Sequence, residues 1–124
     1  MALNVRVVES RSFSRTVYLE GRLNNDTVSI LDEQLDRIVN SAATAVVFDL
    51  AGLDYISSAG LRSIFRMQKV MTARAGKALI VNPQPQVKKV LEIVGAVDLA
   101  AVFSSVQELD RYLDTMQRRI VEGE

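Results

Sequence analysis

Hydrophobic and polar residues follow two different patterns in the predicted strands. Residues 3–9 and 15–20 partly alternate β-branched or aromatic residues with polar ones, which predicts two strands joined in a hairpin. The runs at 44–50 and 77–82 are almost continuously apolar, as expected of central strands covered on both faces. Residues 99–103 predict a short last strand.

Between these strands, apolar residues recur at the three- and four-residue spacing of amphipathic helices. Four helices are predicted: one after Asn25 or Asp26, one from Ser57 or Ser58, one near Pro85, and one opened by the capping box at 105–108. Asn25 or Asp26 is expected to cap the first helix. Gly76 is expected at the left-handed position after the second helix.

The order of these elements predicts the architecture. A hairpin followed by strand–helix repeats implies an α/β fold with a mixed β-sheet of about five strands and about four helices, joined by right-handed crossovers. We expect a single domain spanning residues 1–124, with a frayed tail from about residue 120.

Composition narrows the classes of partner. The chain has 15 basic and 15 acidic residues, and this balance argues against nucleic acid or an anionic membrane as the partner. It has no cysteine, so disulfides and thiolate metal sites are excluded. No apolar leader opens the chain, and its apolar runs are too short to span a bilayer. We expect a cytoplasmic protein without membrane insertion.

The stretch YISSAG at 55–60 resembles part of the nucleophile elbow of serine hydrolases. Its first glycine is replaced by Ile56, and the chain contains no histidine to act as the base of a triad. No S-x-x-K motif offers a lysine in its place. We therefore predict that the protein is not an enzyme.

Cofactor and metal signals are weak. No phosphate-binding loop motif occurs, so we expect no cofactor. Asp49 and Asp54 flank the predicted loop after the third strand, and in principle they suit a hard cation. Such residues more often bond backbone groups of a loop, so no metal site is predicted. Carboxylates at 32, 33 and 36 are interpreted as a solvated helix face.

Ser57 and Ser58 allow two interpretations that are compatible with each other. A serine at a helix start can cap the helix. Phosphorylation there would add about −1.5 to −2 charges, which a helix N-terminus tolerates but a docked partner need not. Arg62, Arg66 and Lys69 follow Ser58 at helical spacing and form either a solvated face or a partner-binding stripe.

The chain contains three segments, VVFDLAGLDYISSAGLRSI, VYLEGRLNNDTV and NPQPQVKKVLEIVGAVDLAAVF, that together resemble the STAS domain family, the anti-sigma factor antagonists of bacteria. VVFDLAGLDYISSAGLRSI is similar to the family signature, in which a buried strand leads into a helix through a loop that carries a serine. In this chain the serine loop is Ser57–Gly60. VYLEGRLNNDTV and NPQPQVKKVLEIVGAVDLAAVF are similar to its second-strand and third-helix regions. The likeness covers nearly the whole chain in order and implies the STAS fold.

The resemblance also implies a function. Family members are not enzymes: when unphosphorylated they bind an anti-sigma factor that is also a serine kinase of the histidine-kinase-like ATPase fold. Phosphorylation of the loop serine releases them, and a PP2C-type phosphatase restores binding. ATP and magnesium belong to the kinase. Carried over, the phosphoacceptor is Ser58, with Ser57 as second choice.

Two residues depart from the family pattern. Ser57 and Asn24 stand where many phosphorylated members have aspartate. This departure supports an alternative, a constitutive STAS binding module of a multiprotein or transport complex that is not phosphorylated. In either case the predicted partner surface consists of the serine loop, the start of the second helix and the adjacent turn: Asn24, Asn25, Ser57, Ser58, Ala59, Gly60, Arg62 and Arg66.

Overall fold

The computed structural model describes residues 3–93, 102–103, 107, 110–111 and 114–115. The elements are, in chain order, β1 (Leu3–Arg11), β2 (Ser14–Leu23), α1 (Val28–Val39), β3 (Ala45–Ile56), α2 (Ser58–Ala73), β4 (Lys77–Val81), α3 (Pro85–Ile93) and β5 (Val102–Phe103). The predicted α/β class is confirmed.

The strands form a mixed sheet in the order β1-β2-β3-β4-β5. β1 and β2 pair antiparallel, whereas every later neighbouring pair is parallel. Each crossover from β2 onwards moves one place in the same direction, so right-handed connections put α1, α2 and α3 on one face of the sheet.

The numbers of elements differ from the prediction. Four strands have at least five residues and the fifth has two, and three helices have complete bounds among the described residues. Most of the predicted fourth helix, the start of the predicted last strand and the tail from residue 120 lie outside the described residues. Within the fourth-helix region, residues 107, 110–111 and 114–115 are helical.

One hydrophobic core fills the space between the three helices and the sheet. Its largest fully buried side chains include Phe48 of β3, Leu35 of α1 and Met67 of α2. The opposite face of the sheet is also covered, since Val47 and Leu79 are buried there. Burial on both faces explains why β3 and β4 are apolar almost throughout.

β3 is longer than its apolar run predicts. We expected a loop after Leu50, but the strand continues to Ile56 and pairs with β2 as far as the Leu23–Ile56 register. Two register shifts place an extra β3 residue against β2, so the strand bends without ending. At the first shift, Gly52 is needed because a Cβ there would lie 2.8 Å from Cγ of Glu20.

The N-cap of α1 is Thr27, whose side chain makes no capping hydrogen bond, and the turn before it is held by Asn24. The side-chain oxygen of Asn24 accepts the backbone N–H groups of Asp26 (2.9 Å) and Thr27 (3.1 Å). Neither Asn25 nor Asp26 caps the helix, so that prediction is wrong. An asparagine side chain bonding two residues onward forms an Asx turn, which orders the chain ahead of the helix.

The end of α2 also differs from the prediction. Ala75, with φ of 59°, occupies the left-handed position that we expected Gly76 to take. The N–H of Ala75 bonds the carbonyl of Thr72 (3.0 Å) and that of Gly76 bonds Met71 (2.7 Å), which is a Schellman motif. Glycine is needed at 76 for another reason: a Cβ there would overlap the carbonyl oxygen of Thr44.

Candidate functional site

The ends of β2 and β3 bring the two predicted loops together. Leu23 and Ile56 are paired in parallel register, so Asn24 and Ser57 follow neighbouring strand ends. The N–H of Ser57 donates to the carbonyl of Leu23 at 2.9 Å and joins the two turns. The predicted Asn24–Asn25 turn and serine loop therefore form one continuous surface at this edge of the sheet.

The two serines have different roles in the structure. Ser57 is the N-cap of α2: its Oγ accepts the N–H of Gly60 at 3.3 Å, and its carbonyl accepts that of Leu61 at 3.0 Å. Ser58 is the first residue of the helix, and it is exposed. Its hydroxyl makes no hydrogen bond within the described part of the chain. Capping thus engages Ser57, while the hydroxyl of Ser58 stays available to another molecule.

Gly60 lets the start of α2 lie directly on the two strand ends. It is buried, and a Cβ at this position would lie 2.6 Å from Cγ of Leu23 and 3.1 Å from Cγ1 of Ile56. The glycine of the S-x-G pattern is therefore a packing requirement, which sets how closely the serine loop approaches the turn at Asn24.

The two asparagines of the predicted surface are not equivalent. Asn24 is half-buried, and its side chain is engaged in the turn through Asp26 and Thr27. Asn25 is exposed and makes no side-chain hydrogen bond with any described residue. Asn25 therefore offers its whole side-chain amide to a partner, whereas the amide oxygen of Asn24 is already engaged.

The basic row on α2 is exposed at Arg62, Arg66 and Lys69. Arg66 pairs across to α1, with Nη2 3.6 Å from Oδ1 of Asp32 and Nη1 3.2 Å from Oδ1 of Asp36. With side chains 40% and 64% exposed, Asp32 and Asp36 form a solvated face as interpreted, and they also link α1 to α2 through Arg66. Arg62 has no ion pair within the described residues, although it lies only one helical turn before Arg66 on α2.

A cleft of about 260 Å³ opens between the starts of α1 and α2. Its lining comprises Val28, Asp32, Ala59, Arg62, Ser63 and Arg66. On one side, the hydroxyl of Ser63 donates to Oδ1 of Asp32 at 2.6 Å. The cleft reaches the start of α2 at Ala59, the residue that follows Ser58.

Sequence reasoning missed one feature of this surface. The guanidinium of Arg22 lies 4.4 Å from the centre of the Tyr55 ring, and Tyr55 is 41% exposed. The two residues are opposite each other in the β2–β3 register. The sequence contains a signal for this pair, because Arg22 and Tyr55 each directly precede the apolar residue that ends its strand. The stacked pair extends the surface beyond the serine loop.

The two carboxylates expected in a loop both lie in β3. Asp49 accepts the backbone N–H of Ala51 at 3.1 Å, whereas the carboxylate of Asp54 makes no hydrogen bond within the described residues. Among the residues that the structure describes, no group of three or more metal-ligating side chains converges. None of the described helices has the length and hydrophobicity needed to cross a membrane.

Comparison with known proteins identifies the family. The family model described as STAS domain matches residues 4–109, which is most of the chain. The chain belongs to the STAS domain family. BtrV of Bordetella bronchiseptica, named as a candidate anti-sigma factor antagonist, is 34% identical over 87 residues, covering 70% of this chain and 75% of BtrV.

Other STAS proteins are more distant in sequence. The anti-sigma F factor antagonist of Lysinibacillus sphaericus is 24% identical over 96 residues, covering 77% of this chain and 82% of that protein. The unphosphorylated structure of the anti-sigma factor antagonist SpoIIAA superposes with a TM-score of 0.78 at 19% identity, covering 90% of this chain and 97% of SpoIIAA. Phosphorylated SpoIIAA gives 0.71 at 18% identity, covering 88% and 99%. At these identities the structures establish a shared fold.

Proposed function

We propose that this STAS domain is an anti-sigma factor antagonist whose binding is switched by phosphorylation of Ser58. When unphosphorylated, it binds an anti-sigma factor that is also a serine kinase of the histidine-kinase-like ATPase fold. It acts in the cytoplasm and catalyses no reaction itself. The observation that carries the proposal is the exposed hydroxyl of Ser58 at the start of α2, which bonds no described residue and lies next to a cap that Ser57 already supplies.

Two further observations support this function. Both sequence relatives, from Bordetella and Lysinibacillus, bear the name of anti-sigma factor antagonist. SpoIIAA, which shares the fold, has been solved in unphosphorylated and phosphorylated forms. A fold that accommodates both forms is compatible with a modification that alters binding and leaves the domain folded.

The chemistry requires only a hydroxyl from this chain. The Oγ of Ser58 bonds to the γ-phosphorus of ATP held by the kinase, the bond to ADP breaks, and the hydroxyl proton passes to a kinase base or to water. A PP2C-type phosphatase then adds one water, which restores the hydroxyl and releases inorganic phosphate. The serine loop has only to present Ser58, which its exposure allows.

Phosphorylation would oppose binding through charge and desolvation. The proposed interface is the surface formed by the serine loop, the Asn24–Asn25 turn and the exposed arginines of α2. Burying it against a partner would bury a phosphate of about −1.5 to −2 charges. A loss of about 2–4 kcal/mol corresponds to a weakening of about thirty- to a thousand-fold, enough to release the partner.

The first test is intact mass and phosphopeptide mapping of the protein purified from its own host, with and without the phosphatase gene. We expect one added phosphate on Ser58, increased when the phosphatase is absent and lost in Ser58→Ala. Ser57→Ala serves as the matched control and should retain the phosphate. A phosphate on Ser57 instead would assign the switch to the capping residue. The absence of phosphate on either serine under every condition would contradict the proposed switch.

The second test measures binding to the host kinase. We expect Ser58→Asp to weaken binding at least tenfold and Ser58→Ala to retain it. Binding that is equal for both variants, together with no phosphate in the host, would instead assign the chain to the constitutive STAS module of a multiprotein or transport complex.

A further inference from the structure

The two arginines nearest to Ser58 on α2 differ in what they contact. Arg66 is held by Asp32 and Asp36 of α1 at 3.6 and 3.2 Å. Arg62 lies one helical turn closer to Ser58, is exposed, and has no ion pair within the described part of the chain. The first cation after Ser58 is therefore available, while the second is engaged across the helix pair.

The geometry points to Arg62 as the residue that binds a phosphate on Ser58, and we propose that this intramolecular pair forms whenever Ser58 is phosphorylated. The inference rests on the proposed function, because it concerns the same serine. Residues four apart on a helix face each other at about 5–6 Å between Cβ atoms. An anion that precedes its cation by four residues is the favourable order.

The cleft between α1 and α2 provides room for the pair. Ala59 and Arg62 both line this opening of about 260 Å³, so a phosphate on Ser58 and the guanidinium of Arg62 can meet at its rim. Guanidinium binds phosphate through paired charge-assisted hydrogen bonds, which are stronger than those between neutral groups. The neighbouring Ser63 hydroxyl is already bonded to Asp32 and leaves this role to Arg62.

Other charged groups around the serine loop fit this role less well. Arg22 on β2 is stacked on Tyr55 at 4.4 Å. Asp26, before α1, and Asp54, on β3, are exposed carboxylates that would repel a phosphate. Arg62 is thus the cation adjoining Ser58 that is neither paired nor stacked within the described residues.

The pair would change the surface in two ways at once. Phosphorylation adds negative charge at Ser58, and the phosphate then withdraws the positive side chain of Arg62 from the proposed interface. A partner that binds Arg62 through a carboxylate would lose that contact and also meet a new anion. The partner is then released because Arg62 leaves the partner's carboxylate and pairs with the phosphate on Ser58.

The test uses the full-length chain with phosphoserine incorporated at position 58 during translation, so no kinase is needed. The ³¹P chemical shift is followed from pH 4 to 8 at physiological salt, about 0.15 M. We expect Arg62→Gln to raise the midpoint of the phosphate titration by about 0.4 pH units, because the cation favours the dianion. Arg62→Lys should keep the midpoint closer to that of the unsubstituted protein, because it retains the positive charge.

Lys69→Gln is the matched control. It removes the same charge from the same exposed row, but it lies about 16 Å from Ser58 along the helix axis, beyond the screening length of about 8 Å at physiological salt. We expect it to leave the midpoint unchanged. Thermal unfolding of each variant verifies that it is folded.

Two results would overturn the inference: equal shifts for Arg62→Gln and Lys69→Gln, or no shift for Arg62→Gln. Neither result bears on whether the host phosphorylates Ser58, which phosphopeptide mapping decides separately. Conversely, an unphosphorylated Ser58 in the host would refute the proposed function while the titration still reported whether Arg62 binds the phosphate.

Discussion

Replacing Gly60 by alanine tests how the serine loop is held against the sheet. A Cβ at this position would lie 2.6 Å from Cγ and 2.7 Å from Cδ2 of Leu23, and 3.1 Å from Cγ1 of Ile56. Favourable carbon–carbon contacts lie at about 3.5–4.0 Å, so the added methyl group overlaps Leu23 by about 1 Å. Leu23 is fully buried, and the overlap includes a branch point that rotation of the side-chain end does not move.

Two effects of opposite sign determine the magnitude. Alanine is favoured over glycine in a helix by up to about 1 kcal/mol. Overpacking a dense core costs about 1–3 kcal/mol, and a contact this short belongs in the upper part of that range. We therefore expect Gly60→Ala to lower the free energy of unfolding by about 1–2 kcal/mol.

Urea unfolding monitored by circular dichroism measures this change. The slope of the free energy of unfolding against urea concentration should stay constant. A double-mutant cycle with Leu23→Ala isolates the contact. Leu23→Ala alone leaves a cavity and costs about 2–5 kcal/mol. In that background, Gly60→Ala should be neutral or stabilising, which gives a coupling of at least about 1 kcal/mol.

The reasoning would be refuted if Gly60→Ala stabilised the protein that retains Leu23. It would equally be refuted if the cost of Gly60→Ala were the same with and without the leucine side chain. Either result would mean that the helix start adjusts to the methyl group without contacting β2.

Three other changes have definite expected outcomes. Gly76→Ala should cost about 3 kcal/mol or more in urea unfolding, because the new methyl group would overlap backbone that cannot rotate away, and a cost below 1 kcal/mol would contradict the contact. Arg74→Met should cost about 2 kcal/mol, because the guanidinium donates to the carbonyl of Val39, the last residue of α1, and to those of Ser41 and Ala43 after it; Arg74→Lys should recover less than half of this loss. Ser57→Ala should lower stability by about 1 kcal/mol through the lost cap, whereas Ser58→Ala should stay within about 0.5 kcal/mol; the reverse order would exchange the roles of the two serines.

Local patterns predicted most of the secondary structure correctly. The three described helices and the hairpin were found because their periodicity is carried by neighbouring residues. The start of α2 was predicted at Ser57 or Ser58, and the helix begins there, since a serine before an amphipathic run is a local capping signal.

Two of the errors occurred where a distant segment determines the local structure. β3 continues to Ile56 because β2 pairs with it, although residues 51–55 alone suggest a loop. Gly76 was placed at the left-handed position, yet what requires the glycine is the backbone of Thr44, more than thirty residues away. In each case the cause is a contact that no window of sequence contains.

The candidate site divides in the same way. The sequence by itself determined that two serines begin a helix and that Arg62 and Arg66 follow at one-turn intervals, because helical geometry depends only on residue number. Only the tertiary structure decided that Ser57 is the bonded cap, that Ser58 is exposed, and that, among the described residues, Arg66 is paired while Arg62 is not. Those differences arise from the approach of α1 and β2 to the start of α2, and the register and packing of separate elements are set by long-range contacts.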